Sequence, residues 1–255
     1  MFKNLGQYLI DFYNQFWGML TLFGQILYLT IKREYRFKNV LVQMSRVGVE
    51  SMPITLLTAI SVGMVFAIHV SSEFSRYGAA KIVGGIVGIA VWRELAPVLT
   101  GVVVAGRVGA SIAAEIGTMK ITEQIDALKA MAVSPISYLV VPRFIALVVM
   151  MPILVIFADV LGFLGALVVS VFGAGINVFS FLNSAYQMLA VSDILGGIFK
   201  AFIFGIVVAI IACYRGLQTN KGAQGVGNTT TSSVVISIST IFVANYILSS
   251  IIFGH

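Results

Sequence analysis

The sequence predicts an all-α integral membrane protein, and three observations carry that prediction. Hydrophobic residues make up 59% of the 255 residues and charged residues only 10%, against about 25% charged residues in soluble domains. Mean hydropathy is +1.01. Most basic residues flank apolar runs, so the net charge of +6 indicates membrane boundaries and predicts no nucleic-acid partner. This composition excludes a soluble enzyme, a disordered tail and a disulfide-rich secreted domain.

The N-terminal segment, residues 1–45, is expected to form an amphipathic helix in the membrane interface. Its polar residues recur at spacings that place them on one stripe of a helix, and aromatic residues occupy the other faces. Such a helix lies in the interface more readily than it crosses the bilayer, although residues 12–31 are long enough to span. The polar stripe consists of Gln7, Asp11, Asn14, Gly18, Thr21, Gln25 and Lys32.

Five later apolar runs are long enough to cross a membrane, which takes about 20 residues in a helix. Residues 173–192 should form a short helix on the outer side. Residues 219–233, rich in Gly, Asn, Thr and Ser, are expected to form a cytoplasmic loop. We expect one membrane domain over residues 1–255, with transmembrane helices at 48–74, 82–116, 143–172, 194–214 and 232–253.

The basic residues predict the orientation of these spans. With a cytoplasmic N-terminus and a periplasmic C-terminus, the outside segments hold only Arg76 and Lys81. Cytoplasmic segments of membrane proteins carry the excess of Lys and Arg. Here they hold Lys3, Lys32, Arg33, Arg36, Lys38, Arg46, Lys120, Lys129, Arg143, Arg215 and Lys221.

Several ionisable residues fall inside predicted spans, where they are costly and by default mark a transport path or a partner contact. Arg93 and Glu94 lie in the second span, Asp159 in the third and Lys200 in the fourth. An excess of positive charge at mid-depth would suit an anionic head group. Interhelical salt bridges are the alternative, and the sequence leaves both open. One stripe of the second span should face a protein interior or a wet cavity: Arg93, Thr100, Arg107, Ser111 and Glu115.

A short amphipathic helix is predicted at residues 118–134, in the cytoplasmic connection between the second and third spans. Its N-terminal cap is expected at Thr122. Such a helix could transmit force from a separate ATPase or simply rest on the membrane surface, and spacing alone leaves both open. Its apolar face should consist of Ile121, Ile125, Leu128 and Met131.

The sequence predicts no resident cofactor, no metal site and no catalytic activity. Cys213 is the single cysteine, so no intrachain disulfide can form, and two histidines are too few for a His-based metal site. The chain contains no Gly-Lys dipeptide and therefore no Walker A loop. Motifs typical of zinc proteases and serine hydrolases are absent as well.

Six short motifs in the middle of the chain resemble the signature of the MlaE permease family. They are Arg93-Glu-Leu-Ala-Pro-Val98, Ala105-Gly-Arg-Val-Gly109, Ala114-Glu-Ile-Gly117, Thr122-Glu-Gln-Ile-Asp-Ala-Leu128, Ala132-Val-Ser-Pro135 and Pro142-Arg-Phe144. Length and hydropathy resemble those of the family over nearly the whole chain. The first 45 residues are similar to the family only in their general character.

This resemblance implies the membrane subunit of an ABC transporter that works with MCE proteins on phospholipids in the bacterial inner membrane. It implies a homodimer, an MCE-domain protein on the outer side and a cytoplasmic ABC ATPase that binds ATP and Mg²⁺, with room for a small accessory cytoplasmic subunit. Arg93, Glu94 and Lys200 match charged residues of the family's lipid cavity, whereas Asp159 has no assigned counterpart. The implied contact with the ATPase consists of Glu123, Gln124, Ile125, Asp126, Ala127 and Leu128.

An ion-coupled secondary transporter or channel is the alternative from another functional class. Charged residues at mid-depth would permit it. It predicts function without an ATPase, and it gives no reason for an amphipathic cytoplasmic helix.

Overall fold

The structure is a computed structural model that describes residues 2–33, 35–220 and 222–254; among residues 2–12 it describes the side chain of Ile10 only. Predictions that involve Lys3, Gln7, Asp11 and Lys221 therefore lie outside the described residues. The described helices are α1 (Phe2–Ile31), α2 (Phe37–Met44), α3 (Met52–Arg76), α4 (Val83–Ala90), α5 (Ala96–Val104), α6 (Ala110–Ile121), α7 (Gln124–Ala130), α8 (Val141–Phe172), α9 (Val178–Met188), α10 (Val191–Leu217) and α11 (Gly222–Phe253).

Five helical stretches of the described chain are long and apolar enough to cross a membrane, which confirms the predicted number. We call them spans 1 to 5. The first two join several of the helices named above, and the third joins a π-helical turn to α8. Their bounds are Phe37–Arg76, Ala80–Ile121, Ile136–Phe172, Val191–Leu217 and Gly222–Phe253.

The cytoplasmic loop expected at residues 219–233 was wrong, because α11 already begins at Gly222. Thr230 and Thr231 donate side-chain hydrogen bonds to the carbonyl oxygens of Val226 and Gly227, four residues earlier. This bonding satisfies the hydroxyl groups inside a helix. Gly225 and Ser233 are buried against the bundle. Tertiary packing of small residues therefore overrides the loop-like composition of this segment.

Wide π-helical turns occur in spans 1 to 3, and one of them precedes a proline in span 2. The turn at Val91–Leu95 is followed by Pro97 in the first turn of α5. Proline has no N–H group and its ring displaces the carbonyl four residues earlier, which here belongs to Arg93. That carbonyl oxygen instead accepts a hydrogen bond from Lys200 Nζ at 2.9 Å. The other π turns are Ser45–Val49, Ala105–Gly109 and Ile136–Val140.

The bundle is built around α8, which packs against α3 on one face and α10 on another. A Cβ atom added to Gly63 would lie 2.2 Å from the carbonyl oxygen of Gly162, so the backbones of α3 and α8 touch. Small residues permit such close approach in membrane helices. On the face of α10 toward α8, Gly205 allows a similar approach to Leu147. These contacts hold α3, α8 and α10 together, and α10 carries two of the charged groups described below.

One end of the bundle carries α7 and the other carries α9. Contacts between Gly216 and Ile116 and between Gly117 and Thr219 bring the ends of α10 and α6 together beside α7. We call this end the α7 side. At the opposite end, Asn177 caps the short helix α9 by accepting a hydrogen bond from the Phe179 N–H at 2.8 Å, which confirms the short helix expected there.

Helix α1 packs on the bundle near the α7 side. Leu22 and Ile26 are buried, and Gly18 rests directly on the ring of Tyr214 in α10. Phe16 and Trp17 stay exposed, as expected for side chains that enter the membrane interface. Since α1 is not among the five stretches that are long and apolar enough to cross, its interfacial location stays a prediction that this packing supports.

Candidate functional site

A cluster of charged and polar side chains joins spans 2, 4 and 5 in the half of the bundle away from α7. Lys200 of α10 is its centre, and its side chain is completely buried. Its ammonium group lies 2.8 Å from Glu94 Oε1 and 2.6 Å from Ser249 Oγ. We call this group the polar cluster; its members are Arg93, Glu94, Asp193, Lys200, Asn245 and Ser249.

Glu94 connects the cluster to span 5. Its Oε2 atom accepts a hydrogen bond from Asn245 Nδ2 at 2.9 Å, and its Oε1 atom accepts one from Ser249 Oγ at 2.8 Å. Asn245 and Ser249 lie four residues apart, so one face of α11 supplies both donors. Buried charges are tolerated when they are paired and hydrogen-bonded. Glu94 and Lys200 satisfy both conditions.

Arg93 forms the second ion pair of the cluster, with Asp193 at the start of α10. The guanidinium Nε and Nη2 atoms lie 2.8 and 2.7 Å from Asp193 Oδ1. The other carboxylate oxygen of Asp193 accepts a hydrogen bond from the Ala190 N–H at 2.9 Å, which closes the N-terminus of α10. The ring of Phe253 lies 4.5 Å from the Arg93 guanidinium carbon, within the range of a cation–π contact.

The predicted excess of positive charge at mid-depth was wrong. Arg93 and Lys200 bring two positive charges, and Glu94 and Asp193 bring two negative charges. Asp193, whose side chain is 1% exposed, was not predicted from the sequence as a member of this cluster. The side chains of Arg93 and Glu94 remain 32% and 39% exposed. The cluster is therefore neutral as a whole but presents one accessible cation and one accessible carboxylate.

A cavity of about 450 Å³ opens on the α7 side, between the start of span 1 and the end of span 2. Arg107 lies 3.1 Å from Glu50 and donates a hydrogen bond to Ser51 at 2.6 Å. Ser111 and Glu115 also line this cavity, which confirms the predicted wet surface for three members of the stripe. Arg93 belongs to the polar cluster and Thr100 is buried, so these two face the protein interior, which is the other environment that was expected for the stripe.

Glu115 is the ion-pair partner of two arginines beside this cavity. Its carboxylate lies 3.3 Å from Arg46 and 2.8 Å from Arg143. Arg143 also donates a hydrogen bond to the Leu139 carbonyl at 2.8 Å and is nearly buried. Arg143 lies in the first turn of α8, at the end that was expected to be cytoplasmic, and its pair with Glu115 helps to join spans 2 and 3.

The short helix between spans 2 and 3 is confirmed, but it is shorter than the predicted 118–134. Helix α6 continues to Ile121, and α7 covers only Gln124–Ala130. Thr122 was wrongly expected to cap the helix: its hydroxyl donates to the Thr118 carbonyl inside α6. The residue before α7 is Glu123, which has the left-handed φ of 59°. This conformation turns the chain sharply between α6 and α7.

Helix α7 is anchored by one face and exposes the other. Ile125 is buried and Leu128 packs against the same apolar core, while Met131 is exposed, so the predicted apolar face is correct only in part. Glu123, Gln124, Asp126 and Ala127 are exposed. A hydrogen bond from Lys129 and the positive charge of Lys120 hold the pKa of Asp126 below its ordinary value. The exposed face is polar and negatively charged.

Asp159 is buried in α8, and neither of its carboxylate oxygens has a hydrogen-bond partner among the described residues. Asp159 therefore forms no salt bridge with the described residues, which rules out the packing role that the sequence had left open. Ionised carboxylates in such surroundings are costly. The structure gives no partner that would explain this residue within one chain.

Comparisons with known proteins agree with this architecture. A family model described as permease MlaE matches residues 40–251. The chain is 48% identical to a probable ABC transporter permease protein of Synechocystis over 230 residues, which cover 90% of this chain and 88% of the relative. It is 41% identical to a probable ABC transporter permease protein of Rickettsia typhi, with 92% of each chain covered.

A chloroplast protein is also similar. The Arabidopsis thaliana protein TRIGALACTOSYLDIACYLGLYCEROL 1, chloroplastic, is 40% identical over 232 residues, which cover 90% of this chain and 66% of the relative. Five spans and these relatives define the chain as a multi-pass permease subunit of an ABC transporter. It belongs to the MlaE permease family. The alternative of an ion-coupled transporter or channel receives no support from these relatives.

Proposed function

We propose that this chain forms a homodimer that moves phospholipid between the bacterial inner membrane and an MCE-domain protein. A cytoplasmic ABC ATPase that binds ATP and Mg²⁺ supplies the energy, and a small accessory cytoplasmic subunit can join it. The observation that carries the proposal is the polar cluster, which lies within the spans yet leaves Arg93 and Glu94 accessible. The name of the Arabidopsis relative includes the name of a glycerolipid, which supports lipid as the substrate class.

The exposure of Arg93 and Glu94 supports the dimer. Charged groups that face lipid tails are costly, so the accessible part of the polar cluster needs a cover. Span 5 supplies Asn245 and Ser249 to the cluster but buries few of its residues within one chain. A second copy that packs against span 5 would enclose the cluster in a shared cavity. Apolar residues of spans 1, 2 and 5 would then surround the acyl chains, and Arg93 would face the phosphate. Lys200, which the resemblance also assigned to the lipid site, is completely buried and would instead hold Glu94 and the Arg93 carbonyl in place.

Helix α7 is the proposed contact with the ATPase. Glu123, Gln124, Asp126 and Ala127 face outward and are available to a partner. Ile125 and Leu128, which the resemblance also assigned to the contact, instead attach α7 to the bundle. A push on the exposed face would therefore reach the apolar core through these two side chains. In this proposal the α7 side lies in the cytoplasm and the polar cluster lies toward the outer half of the membrane.

The experiment that tests the proposal is purification from bacterial membranes in mild detergent, with proteins and lipids identified by mass spectrometry. We expect a second copy of the chain, an ABC ATPase, an MCE-domain protein and bound phospholipid. Arg93→Gln should lower the bound phospholipid per dimer, whereas the matched control Arg76→Gln changes an exposed ion pair at the end of span 1, away from the polar cluster, and should not. Unchanged lipid with lowered thermal stability in Arg93→Gln would contradict the substrate role.

A further inference from the structure

A surface groove of about 620 Å³ lies between α1, α10 and α11, apart from both the polar cluster and the α7-side cavity. Its walls are almost entirely apolar, and each of the three helices contributes side chains. Among the residues that form it are Phe16, Leu20 and Phe23 of α1, Val207 and Ile210 of α10, and Thr240 of α11.

Arg215 marks the α7-side end of this groove. Its Nη1 atom donates a hydrogen bond at 3.2 Å to Gln15 Oε1, and Gln15 itself lines the groove. Its Nη2 atom donates to Ser232, while its Nε atom is buried without a hydrogen-bond partner. Arg215 forms no ion pair with any carboxylate in the part of the chain that the structure describes. A half-buried guanidinium with only neutral partners, and with a second N–H left on each of Nη1 and Nη2, is suited to a phosphate group.

The distance from Arg215 to the far end of the groove fits one leaflet of a bilayer. Along α11, the distance from Ser232, beside Arg215, to Val243 at the far end of the groove is about 16 Å for a helix. Half of the hydrocarbon core is about 15 Å thick. Arg215 lies in the last turn of α10, where long basic side chains reach the head-group level. The groove therefore begins at the head groups and ends near the midplane.

We infer that this groove binds one phospholipid molecule from the leaflet on the α7 side. Its phosphate accepts hydrogen bonds from Arg215, and an acyl chain lies between α1, α10 and α11. The charge of Arg215 and the distance from Arg215 to the far end of the groove both favour a phospholipid over an apolar helix of another protein. The bound lipid joins α1 to the bundle. This site is separate from the proposed transport cavity and does not depend on it.

A photo-crosslinking experiment tests this site in the permease purified with its ATPase partner. The crosslinker p-benzoylphenylalanine replaces Thr240, which faces the groove, or Phe157, an exposed control on α8 that contributes to neither the groove nor the polar cluster. The complex is extracted in detergent, so that loosely bound lipid is removed, and then irradiated. We expect a phospholipid adduct at position 240 by intact-protein mass spectrometry and little adduct at position 157.

Variants of Arg215 show whether the phosphate contact holds the lipid. Arg215→Gln should lower the adduct at position 240 about tenfold, because a charge-assisted pair is lost. Arg215→Lys, which keeps the charge, should retain most of it. If Arg215→Gln does not fold, Leu20→Trp offers a second variant, since this exposed position can fill the groove from α1 and should also lower the adduct.

Several outcomes would overturn the inference. A crosslink from position 240 to a second copy of the chain would show that the dimer covers the groove. Equal adducts at positions 240 and 157, or an adduct unchanged by Arg215→Gln and Leu20→Trp, would show unspecific lipid. Arg93→Gln separates this site from the proposed function: it should lower lipid at the polar cluster and leave the adduct at position 240 unchanged.

Discussion

The polar cluster and the α7-side cavity both contain two arginine or lysine side chains paired with carboxylates, but their surroundings differ. In the polar cluster, Lys200 and Asp193 are 0% and 1% exposed, whereas beside the cavity Arg46 and Glu50 are 52% and 57% exposed. Three spans supply hydrogen bonds to the cluster. The pairs of the cavity meet water and are weakened by it. We conclude that the first region holds a fixed arrangement, while the second can exchange partners at small cost.

The largest effect on stability is expected for Lys200→Met. This change leaves the partly exposed Glu94 without its cation. Removing one partner of a fully buried pair costs about 3–5 kcal/mol, and the exposure of Glu94 should reduce the loss to about 2–3 kcal/mol. Thermal unfolding of the purified permease should show the loss directly. Adding Glu94→Gln should restore part of it, because the uncompensated carboxylate disappears. A loss below about 1 kcal/mol for Lys200→Met would remove the distinction between the two regions.

The second expectation concerns the exposed face of α7. Replacing Glu123 and Asp126 together by Lys reverses the charge of this face and should abolish association with the ATPase, a loss of affinity of at least about a hundredfold. Co-purification of the two subunits measures it. The permease should stay folded because both side chains are exposed. Normal co-purification would exclude this face as the contact, and Arg76→Glu is a charge-reversal control at the opposite end of the bundle.

A smaller effect is expected for Arg46→Gln beside the α7-side cavity. Its pair with Glu115 is exposed, and Arg143 still neutralises that carboxylate. The free energy of unfolding should therefore change by about 0–1 kcal/mol. Comparing it with Lys200→Met in the same thermal assay sharpens the contrast between the regions. A loss as large as that of Lys200→Met would mean that the cavity is as tightly organised as the polar cluster.

The smallest effect on stability should come from the protonation of Asp126 at low pH. Its pKa in the folded chain is lowered, first by the hydrogen bond from Lys129 and then by the charge of Lys120. The resulting stabilisation of α7 is present above the unfolded-state pKa of Asp and is lost as pH falls through the folded-state value. Carboxyl ¹³C NMR should show a higher pKa for Asp126 in Lys129→Gln. An unchanged titration would indicate that the Asp126–Lys129 pair does not persist in solution.

The sequence predicted the five spans well because a membrane imposes a long apolar run on each of them. It failed at residues 219–233, where small polar residues form the first turns of α11 against neighbouring helices. Local composition carries no information about such packing. For the same reason the sequence did not reveal the partner of Arg93. Asp193 lies near the predicted start of span 4, and only the fold brings it to span 2.

Parts of the candidate site did leave a signal in the sequence. Asn245 and Ser249 lie four residues apart within an otherwise apolar span, and this spacing indicates a polar face. Arg107, Ser111 and Glu115 came together as their spacing predicted. The helical wheel that also included Arg93 assumed a regular helix, and the π turns of span 2 break that assumption. Asp159 was recognised as unusual, but its lack of a partner could be seen only in the structure.

The π turn at Val91–Leu95 ties the length of span 2 to the position of its charges. A π turn holds one residue more than an α turn, and one residue corresponds to a rotation of about 100° around the helix. Removing a single residue there would give a regular helix and rotate Arg107 and Glu115 away from the cavity relative to Arg93. The spacing between the two charged regions is thus encoded in an inserted residue, and insertions or deletions at this point are far more disruptive than substitutions.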